Sequence, residues 1–373
     1  MYKIAYIIYS LSNSAGMERS LTMRANFLSG TYDITIITQV GGRDFFTLDD
    51  RIHRIDLGLD PSLDKTGMKR ECFKKLSIVL CEYKFDVVVS LGGMELFFLY
   101  KIPDGSKKVV EFRFSYDFHK VLALEKYKGI LGRIIGLCYT WRRNIYARKY
   151  DYIVTLSQRD LSLWKRVVSN VVQIYNPLTV SSPVISNCKK KNVIAVGRLE
   201  YVKGFDILIR SWGQLTPKHP DWTLTIFGEG SKRDELQNLI VELNLSKCIL
   251  LKGISNNIVS EYANSSIFVL SSREEGFGLV ITEAEVCGLP IITFNCPNGP
   301  GEIVEDGVNG IVINDVGSVD KLSKSICTLI EDEGQRCKMG EASLAVAKSF
   351  TEEIIKPQWV KLFNGLIMDK INS

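Results

Sequence analysis

The densest chemistry in the sequence lies in VGRLEYVKGFD, residues 196–206. An apolar run stops at Gly197, and Arg198, Lys203 and Gly204 follow before a helical pattern begins. Two cations at the carboxyl end of a strand, next to a helix N-terminus, form a site for a diphosphate. Arg198 offers a forked guanidinium and Lys203 a compact point charge. The plainer reading is a solvated strand-to-helix turn.

A second segment, residues 271–290 (SSREEGFGLVITEAEVCGLP), repeats this logic with acids. Glu274 and Glu275 precede Gly276-Phe277-Gly278, and a helix starts near Leu279. The glycines let backbone N–H groups approach a phosphate at that helix N-terminus. Glu275 and Glu283, with seven residues between them, are placed to accept hydrogen bonds from sugar and ribose hydroxyls. Taken alone, Glu283 is equally a favourable charge early in a helix, worth about 0.3–1 kcal/mol.

The elements that must position these residues alternate along the chain. Residues 3–9, 33–39, 86–90, 108–112, 152–156 and 171–175 are short apolar runs, and a helical pattern covers 17–28. After residue 192 the rhythm restarts. Runs at 193–196, 223–227, 248–251, 267–270 and 290–294 are separated by helical patterns near 205–215, 233–243, 279–287 and 319–329. Apolar runs without alternation indicate strands buried on both faces, hence parallel sheets covered by helices. Residues 176–192, with two prolines, a serine pair and three successive lysines, read as a linker. The expected architecture is α/β, with two Rossmann-like domains facing a central cleft: residues 1–178, residues 190–350, and a C-terminal helix over 351–373 that packs back on the first domain through Trp359 and Phe363.

Composition bounds the function. A chain of 373 residues with 46% apolar and 24% charged residues suits two ordinary domains and excludes wholesale disorder. No apolar run approaches the roughly 18 residues that span a bilayer, and residues 3–9 lack a cleavage-site pattern. Nine cysteines without a CxxC pair point to a reducing cytoplasm and away from a disulfide or zinc framework. The net charge of +5 is uneven. Residues 1–180 hold 27 Lys+Arg against 18 Asp+Glu, a balance of +9, and the remainder holds 20 against 24, a balance of −4. Seven cations fall within residues 126–149 with no acid between them: Lys126, Lys128, Arg133, Arg142, Arg143, Arg148 and Lys149. Interleaved with Leu131, Ile134, Leu137 and Trp141, they read as a helix for an anionic membrane surface, at about 1 kcal/mol per cation near it. The alternative is a solvated helix face packed on the first domain.

Gly197-Arg198 with Lys203-Gly204, then Glu275-Gly-Phe-Gly-Leu with Glu283, resemble the retaining nucleotide-sugar glycosyltransferases of family four, also called group 1, with the GT-B fold. The resemblance continues in Phe227-Gly228-Glu229-Gly230, Asn176-Pro177 and Ala15-Gly16-Met17-Glu18-Arg19, and covers almost the whole chain. Residues 296–304 (CPNGPGEIV) are similar to versions in bacterial capsule and lipopolysaccharide enzymes. The resemblance implies that Arg198 and Lys203 hold the donor diphosphate with the backbone of Gly278 and Leu279, in the Gly276-Phe277-Gly278 loop. It implies that Glu283 holds the ribose, that Glu275 contacts the transferred sugar, and that Gly16 lies near the diphosphate or acceptor. The family usually has two glycines at that last place, and here the first is Ala15. Many relatives carry a histidine after the strand equivalent to residues 108–112. Here Arg113 stands near that place and His119 follows six residues later, so either takes the role. His53 and His219 read as surface or structural residues.

No Asp-x-Asp motif occurs. That agrees with Arg198 and Lys203, rather than a metal ion, neutralising the leaving diphosphate. The expectation is therefore a retaining, metal-independent hexosyltransferase without a cofactor. It would use a nucleotide-sugar donor, a UDP-hexose or UDP-N-acetylhexosamine, and a saccharide acceptor, lipid-linked, in bacterial surface polysaccharide assembly. It would lie in the cytoplasm, peripheral on the inner face of the plasma membrane, with no nucleic-acid partner. Two other readings stand beside it: a sugar-nucleotide 2-epimerase, for which three histidines leave few acid/base groups, and a non-catalytic nucleotide-sugar binding protein.

Overall fold

The structure, a computed structural model, describes residues 1–13, 16–127, 129–180, 183–297 and 299–372. The chain divides into two compact units, Met1–Pro177 with Glu352–Ser373, and Leu178–Thr351.

The first unit is built on seven strands: β1 Lys3–Ile8, β2 Asp33–Thr38, β3 His53–Asp56, β4 Val87–Ser90, β5 Lys107–Glu111, β6 Tyr152–Thr155 and β7 Val171–Gln173. They pair in parallel in the order β3-β2-β1-β4-β5-β6-β7, with Lys3 opposite Asp33 and Ile4 opposite Val87. The central strand shows why its apolar run is unbroken. Ile4, Tyr6 and Ile8 enter one core with Trp359 and Phe363, while Ala5 and Ile7 enter another with Cys72, Leu76 and Leu80. Side chains alternate across a strand, so a run apolar at every position serves two cores.

The C-terminal helix Glu352–Ile371 completes this unit, as the sequence led us to expect. Trp359 and Phe363 are buried, and Phe363 meets Tyr6 and Tyr32 edge-on. The Tyr32 hydroxyl donates to Asn364 Oδ1 at 2.8 Å, and Lys370 pairs with Asp86 at 2.9 Å. Burial of each large apolar side chain contributes about 1.5–3 kcal/mol, which suffices to hold a chain end in place.

The second unit has six parallel strands: β8 Asn192–Val196, β9 Thr223–Phe227, β10 Ile249–Gly253, β11 Ile267–Leu270, β12 Ile291–Phe294 and β13 Gly310–Ile313, in the order β10-β9-β8-β11-β12-β13. The sequence reading had missed β13, a four-residue run behind a turn at Gly307, and the helices Lys65–Tyr83 and Glu333–Ala347.

Two local expectations are corrected. The linker reading of residues 176–192 fails from Leu178 on. That segment has no helix or strand among its described residues through Lys191, yet it is packed on the second unit. Val180 and Cys188 are buried, the Ser186 hydroxyl donates to the Ser265 carbonyl, and Arg336 Nε donates to the Cys188 carbonyl at 2.8 Å. Ser181 and Ser182 lie outside the described residues. The basic segment is two helices rather than one, Phe118–Lys126 and Gly129–Ala147, with Gly129 at φ +70° between them. Lys128 lies outside the described residues.

The longer of these helices is inverted relative to an ordinary core helix. Its buried face is Gly132, Gly136, Thr140, Arg143 and Ala147. A Cβ on Gly136 would stand 2.7 Å from Lys120 Cα, so small residues permit the close approach of its partner helix. The large apolar residues Ile130, Ile134, Leu137, Trp141 and Ile145, at the same helical spacing, face outward. Arg143 therefore departs from the surface role expected of it. It is buried, donates to the Tyr116 carbonyl at 3.0 Å, and lies over the rings of Tyr116 and Trp164 at 4.5 and 4.7 Å. Among the described residues no helix is long and apolar enough to cross a membrane.

Candidate functional site

In the second unit the strand order reverses direction between β8 and β11, so the loops leaving their carboxyl ends diverge from neighbouring positions. Open parallel sheets bind ligands at such a switch point. The β8 loop carries Arg198 and Lys203, and the β11 loop carries Glu274 to Gly278.

Glycines bring these loops within backbone contact. Gly204 has φ +64°, and a Cβ there would stand 2.1 Å from the Ser271 carbonyl oxygen. Gly228 has φ +137°, and its Cβ would stand 1.9 Å from the Gly197 oxygen. Any side chain at either place would force the loops apart. The Ser271 hydroxyl donates to the Lys203 carbonyl at 3.0 Å, which ties the two segments directly.

On this base Lys203 Nζ donates to Glu275 Oε1 at 2.6 Å, and the Ser272 hydroxyl donates to the same oxygen at 2.7 Å. Lys203 is 17% exposed and Glu275 7%. Arg198 is exposed, and its side chain makes no hydrogen bond or ion pair among the described residues. The site thus holds one oriented cation and one cation exposed to solvent.

Residues that sequence reasoning missed hold this arrangement. Arg273 forms a two-pronged pair with Asp206 at 2.8 and 2.7 Å, donates to the Tyr201 carbonyl at 2.7 Å, and stacks on the Tyr201 ring at 4.2 Å. Burial raises the Asp206 carboxyl, but the Arg273 bonds prevail and hold it below its ordinary value. The clamp joins the β11 loop to the turn that presents Lys203.

The helix Leu279–Val286 follows, with Gly278 at its N-terminus in the left-handed region at φ +96°. Glu283 lies inside this helix and is buried. It accepts from the Thr179 hydroxyl at 2.6 Å and from the Tyr262 hydroxyl at 3.3 Å, two further partners that the sequence did not reveal. The Phe277 side chain is buried against Phe350, so only its backbone remains for a ligand. Gly299, at φ +120°, would place a Cβ 2.2 Å from the Phe277 oxygen, which ties the CPNGPGEIV segment to this loop. Asn298 of that segment lies outside the described residues.

In the first unit Gly16 begins the helix Gly16–Leu28 and is exposed, while Ala15 lies outside the described residues. Arg113, just past β5, is buried. It pairs with Glu111 at 3.1 Å and donates to the Ser20 hydroxyl at 2.8 Å and to Asn176 Oδ1. Arg24 holds the other side of Glu111 at 2.7 Å. Burial brings Arg113 down to about 10 despite Glu111, which leaves it charged at neutral pH. His119 lies in the helix Phe118–Lys126, and burial and then Arg143 lower its pKa, so the ring is neutral at pH 7. Arg113 and His119, the two alternatives for the family's histidine, line one cavity. His53 is on the exposed edge strand, 3.5 Å from Asp33, and His219 stands 3.2 Å from Glu331. Among the described residues no cluster of three or more His, Cys, Asp or Glu is placed to hold a metal ion.

Two parallel Rossmann-like sheets with a C-terminal helix returned to the first unit define the GT-B fold. Residues 182–345 match the model of the family glycosyl transferases group 1, so that stretch of the chain carries the family's domain. It is similar to an uncharacterized glycosyltransferase of Haemophilus influenzae, 29% identical over 96% of this chain and 99% of the relative. It is also similar to a Campylobacter jejuni α-1,4-N-acetyl-D-galactosaminyltransferase that acts on a GalNAc-containing diNAcBac-PP-undecaprenol, 25% identical over 97% of this chain and 98% of the relative. Among solved structures, a variant of S. aureus TarM in complex with fondaparinux, alpha-GlcNAc-glycerol and UDP superposes with a TM-score of 0.81, at 16% identity, over 98% of this chain and 100% of that one.

Proposed function

We propose that this glycosyltransferase moves a hexose or N-acetylhexosamine from a UDP-sugar to a saccharide hydroxyl, with retention and without a metal ion, in the assembly of a bacterial surface polysaccharide. The second unit takes the donor and the first the acceptor. The observation that carries this reading is the cation pair at the β8–β11 switch point: Lys203 oriented by Glu275, and Arg198 exposed, its side chain without a hydrogen bond or ion pair among the described residues.

In this reading the acceptor hydroxyl attacks the anomeric carbon on the face from which the diphosphate departs. The bond from carbon to phosphate oxygen breaks, the glycosidic bond forms, and the hydroxyl proton passes to the departing phosphate. Arg198, Lys203 and the backbone at Gly278 and Leu279 stabilise the charge that develops on the diphosphate. Loss of one such contact typically lowers the rate by about 10²–10³. Glu283 holds the ribose, Glu275 meets the transferred sugar, and Arg113 or His119 takes the role of the family's histidine. UDP in the TarM structure supports the choice of nucleotide, and the lipid-linked substrate of the Campylobacter relative supports a lipid-linked acceptor. The outward apolar stripe of Gly129–Ala147, flanked by exposed Arg133, Arg142 and Arg148, supports peripheral attachment to the anionic inner face of the plasma membrane.

The test incubates the full chain with a panel of UDP-sugars and lipid-linked saccharide acceptors, with and without EDTA. Transfer with retained anomeric configuration and undiminished by EDTA is the expected result. Interconversion of donors without transfer, or activity lost to EDTA and restored by Mg²⁺, would overturn it.

A further inference from the structure

The first unit contains a cavity of about 230 Å³ bounded by the loops after β4 and β5 and by the helices Phe118–Lys126 and Gly129–Ala147. Its polar side chains include Arg113, Arg142, Arg143 and His119, and no carboxylate is among its lining residues. Three buried nitrogens on these side chains have no hydrogen-bond partner among the described residues: Arg113 Nη2, Arg143 Nε and His119 Nδ1. Arg113 and Arg143 are each more than nine-tenths buried. Leaving a buried donor unmatched typically costs 1–3 kcal/mol, more on a charged group. The side chains that carry them line one cavity, and arginines there without a lining carboxylate suit an anionic acceptor.

The charge balance says of what kind. Glu111 lies between Arg24 and Arg113, and the acids that act on Arg143, Asp160 and Asp117, form no ion pair with it among the described residues. Arg143 has no ion pair among the described residues and is met by the faces of Phe112, Tyr116 and Trp164. Aromatic faces hold a guanidinium in place without cancelling its charge. Burial brings Arg143 down to about 10, so it stays charged at neutral pH. Arg142 adds a further charge, over the Phe97 ring at 4.7 Å.

We propose that this cavity binds a phosphoryl or diphosphoryl group of the acceptor. The proposal rests on the reading of the first unit as the acceptor unit, and it places the recognition of the acceptor's anionic end at Arg113, Arg143, His119 and Arg142. Tyr139 lines the cavity and is half exposed, on the side of its helix away from Leu137 and Trp141.

The experiment is calorimetric titration of the full chain, first with UDP and then, with UDP saturating, with inorganic pyrophosphate, farnesyl diphosphate or farnesol. The first titration reads the second unit, so failure of the donor reading is scored separately. The UDP-saturated protein should bind a further diphosphate. Arg143→Gln, and the rim variant His119→Phe with Arg142→Gln, should weaken that binding at least tenfold and leave UDP affinity unchanged. Farnesyl diphosphate tenfold tighter than pyrophosphate identifies a lipid-borne phosphate, and equal affinity a free or sugar-borne one. If Arg143→Gln loses UDP binding as well, it has misfolded and the rim variant decides. No diphosphate binding beside UDP, unchanged affinity in the variants, or farnesol binding as tightly as farnesyl diphosphate would overturn the proposal.

Discussion

Lys203 Nζ donates to Glu275 Oε1 at 2.6 Å, across 72 residues of sequence, and Glu275 is the more deeply buried partner. The pair couples the group assigned to the leaving diphosphate to the group assigned to the transferred sugar. Charge-assisted hydrogen bonds are worth about 1.5–3 kcal/mol each. Lys203→Ala and Arg198→Ala should each cut transfer at least about tenfold and weaken UDP binding, with the fold retained. Glu275→Gln removes the charge that draws Lys203 away from a phosphate, so turnover should fall while UDP affinity does not. Parallel titrations with UDP and initial rates decide this. Unchanged UDP affinity in both cation variants would remove the donor site from the switch point.

Glu283 differs from Glu275 in its partners. Its two oxygens accept from Thr179 and Tyr262, both hydroxyls of its own unit. A ribose hydroxyl would join or replace one of them. Glu283→Gln should weaken UDP binding by about tenfold, in proportion to one lost charge-assisted bond. Its effect on the affinity of uracil or inorganic pyrophosphate, which lack the ribose, should be slight. Equal weakening of pyrophosphate and UDP would transfer Glu283 from the ribose to the diphosphate.

The parallel sheets were legible because the inner residues of β1, β8 and β11 are buried one after another, which leaves an unbroken apolar run in the sequence. The cations and acids of the site were legible because each stands within a few residues of a strand end and a glycine. Their supports were not. Asp206 and Arg273 are 67 residues apart, and Thr179 and Glu283 are 104 apart, so no local spacing links them. Arg143 was misread for a different reason. Its helix buries glycine, threonine and alanine and turns its large apolar residues outward, so the visible hydrophobic stripe marks the wrong face for the core.

Glu285, two residues beyond Glu283, is fully buried. It accepts from Asn309 Nδ2 at 2.8 Å, and its other oxygen has no partner among the described residues. Burial raises its pKa well above the ordinary carboxylate value, against the smaller lowering by Asn309. The folded state therefore holds a proton that the unfolded chain releases above about pH 4.3. Stability is lost as pH rises from there toward the folded-state value, at up to about 1.4 kcal/mol per pH unit. Glu285→Gln keeps an acceptor for Asn309 and has no proton to lose. Its stability relative to the parent should rise between pH 5 and pH 8, as read from urea midpoints at both values. A difference independent of pH would mean that Glu285 is ionised in the fold.

The helix Gly129–Ala147 presents Ile130, Ile134, Leu137 and Trp141 to solvent, with Trp141 68% exposed, and Arg133 on the same stretch with Arg148 and Lys149 just beyond its end. A stripe of that kind on a soluble surface gains nothing from its large apolar groups, whereas an interface buries them and attracts the cations. Attraction to anionic lipid is worth about 1 kcal/mol per cation near the surface. It is screened over about 8 Å at physiological ionic strength. The protein should therefore sediment with vesicles containing anionic lipid, less so as salt rises. Reversal of Arg133, Arg148 and Lys149 to glutamate should abolish that binding. Arg142 and Arg143 are left in place because they line the cavity, so diphosphate and UDP binding should both survive the triple reversal. Trp141→Ala should weaken vesicle binding without changing its salt dependence, because it removes apolar area and no charge. Equal sedimentation with neutral and anionic vesicles, or none with either, would reduce the basic segment to a solvated helix face.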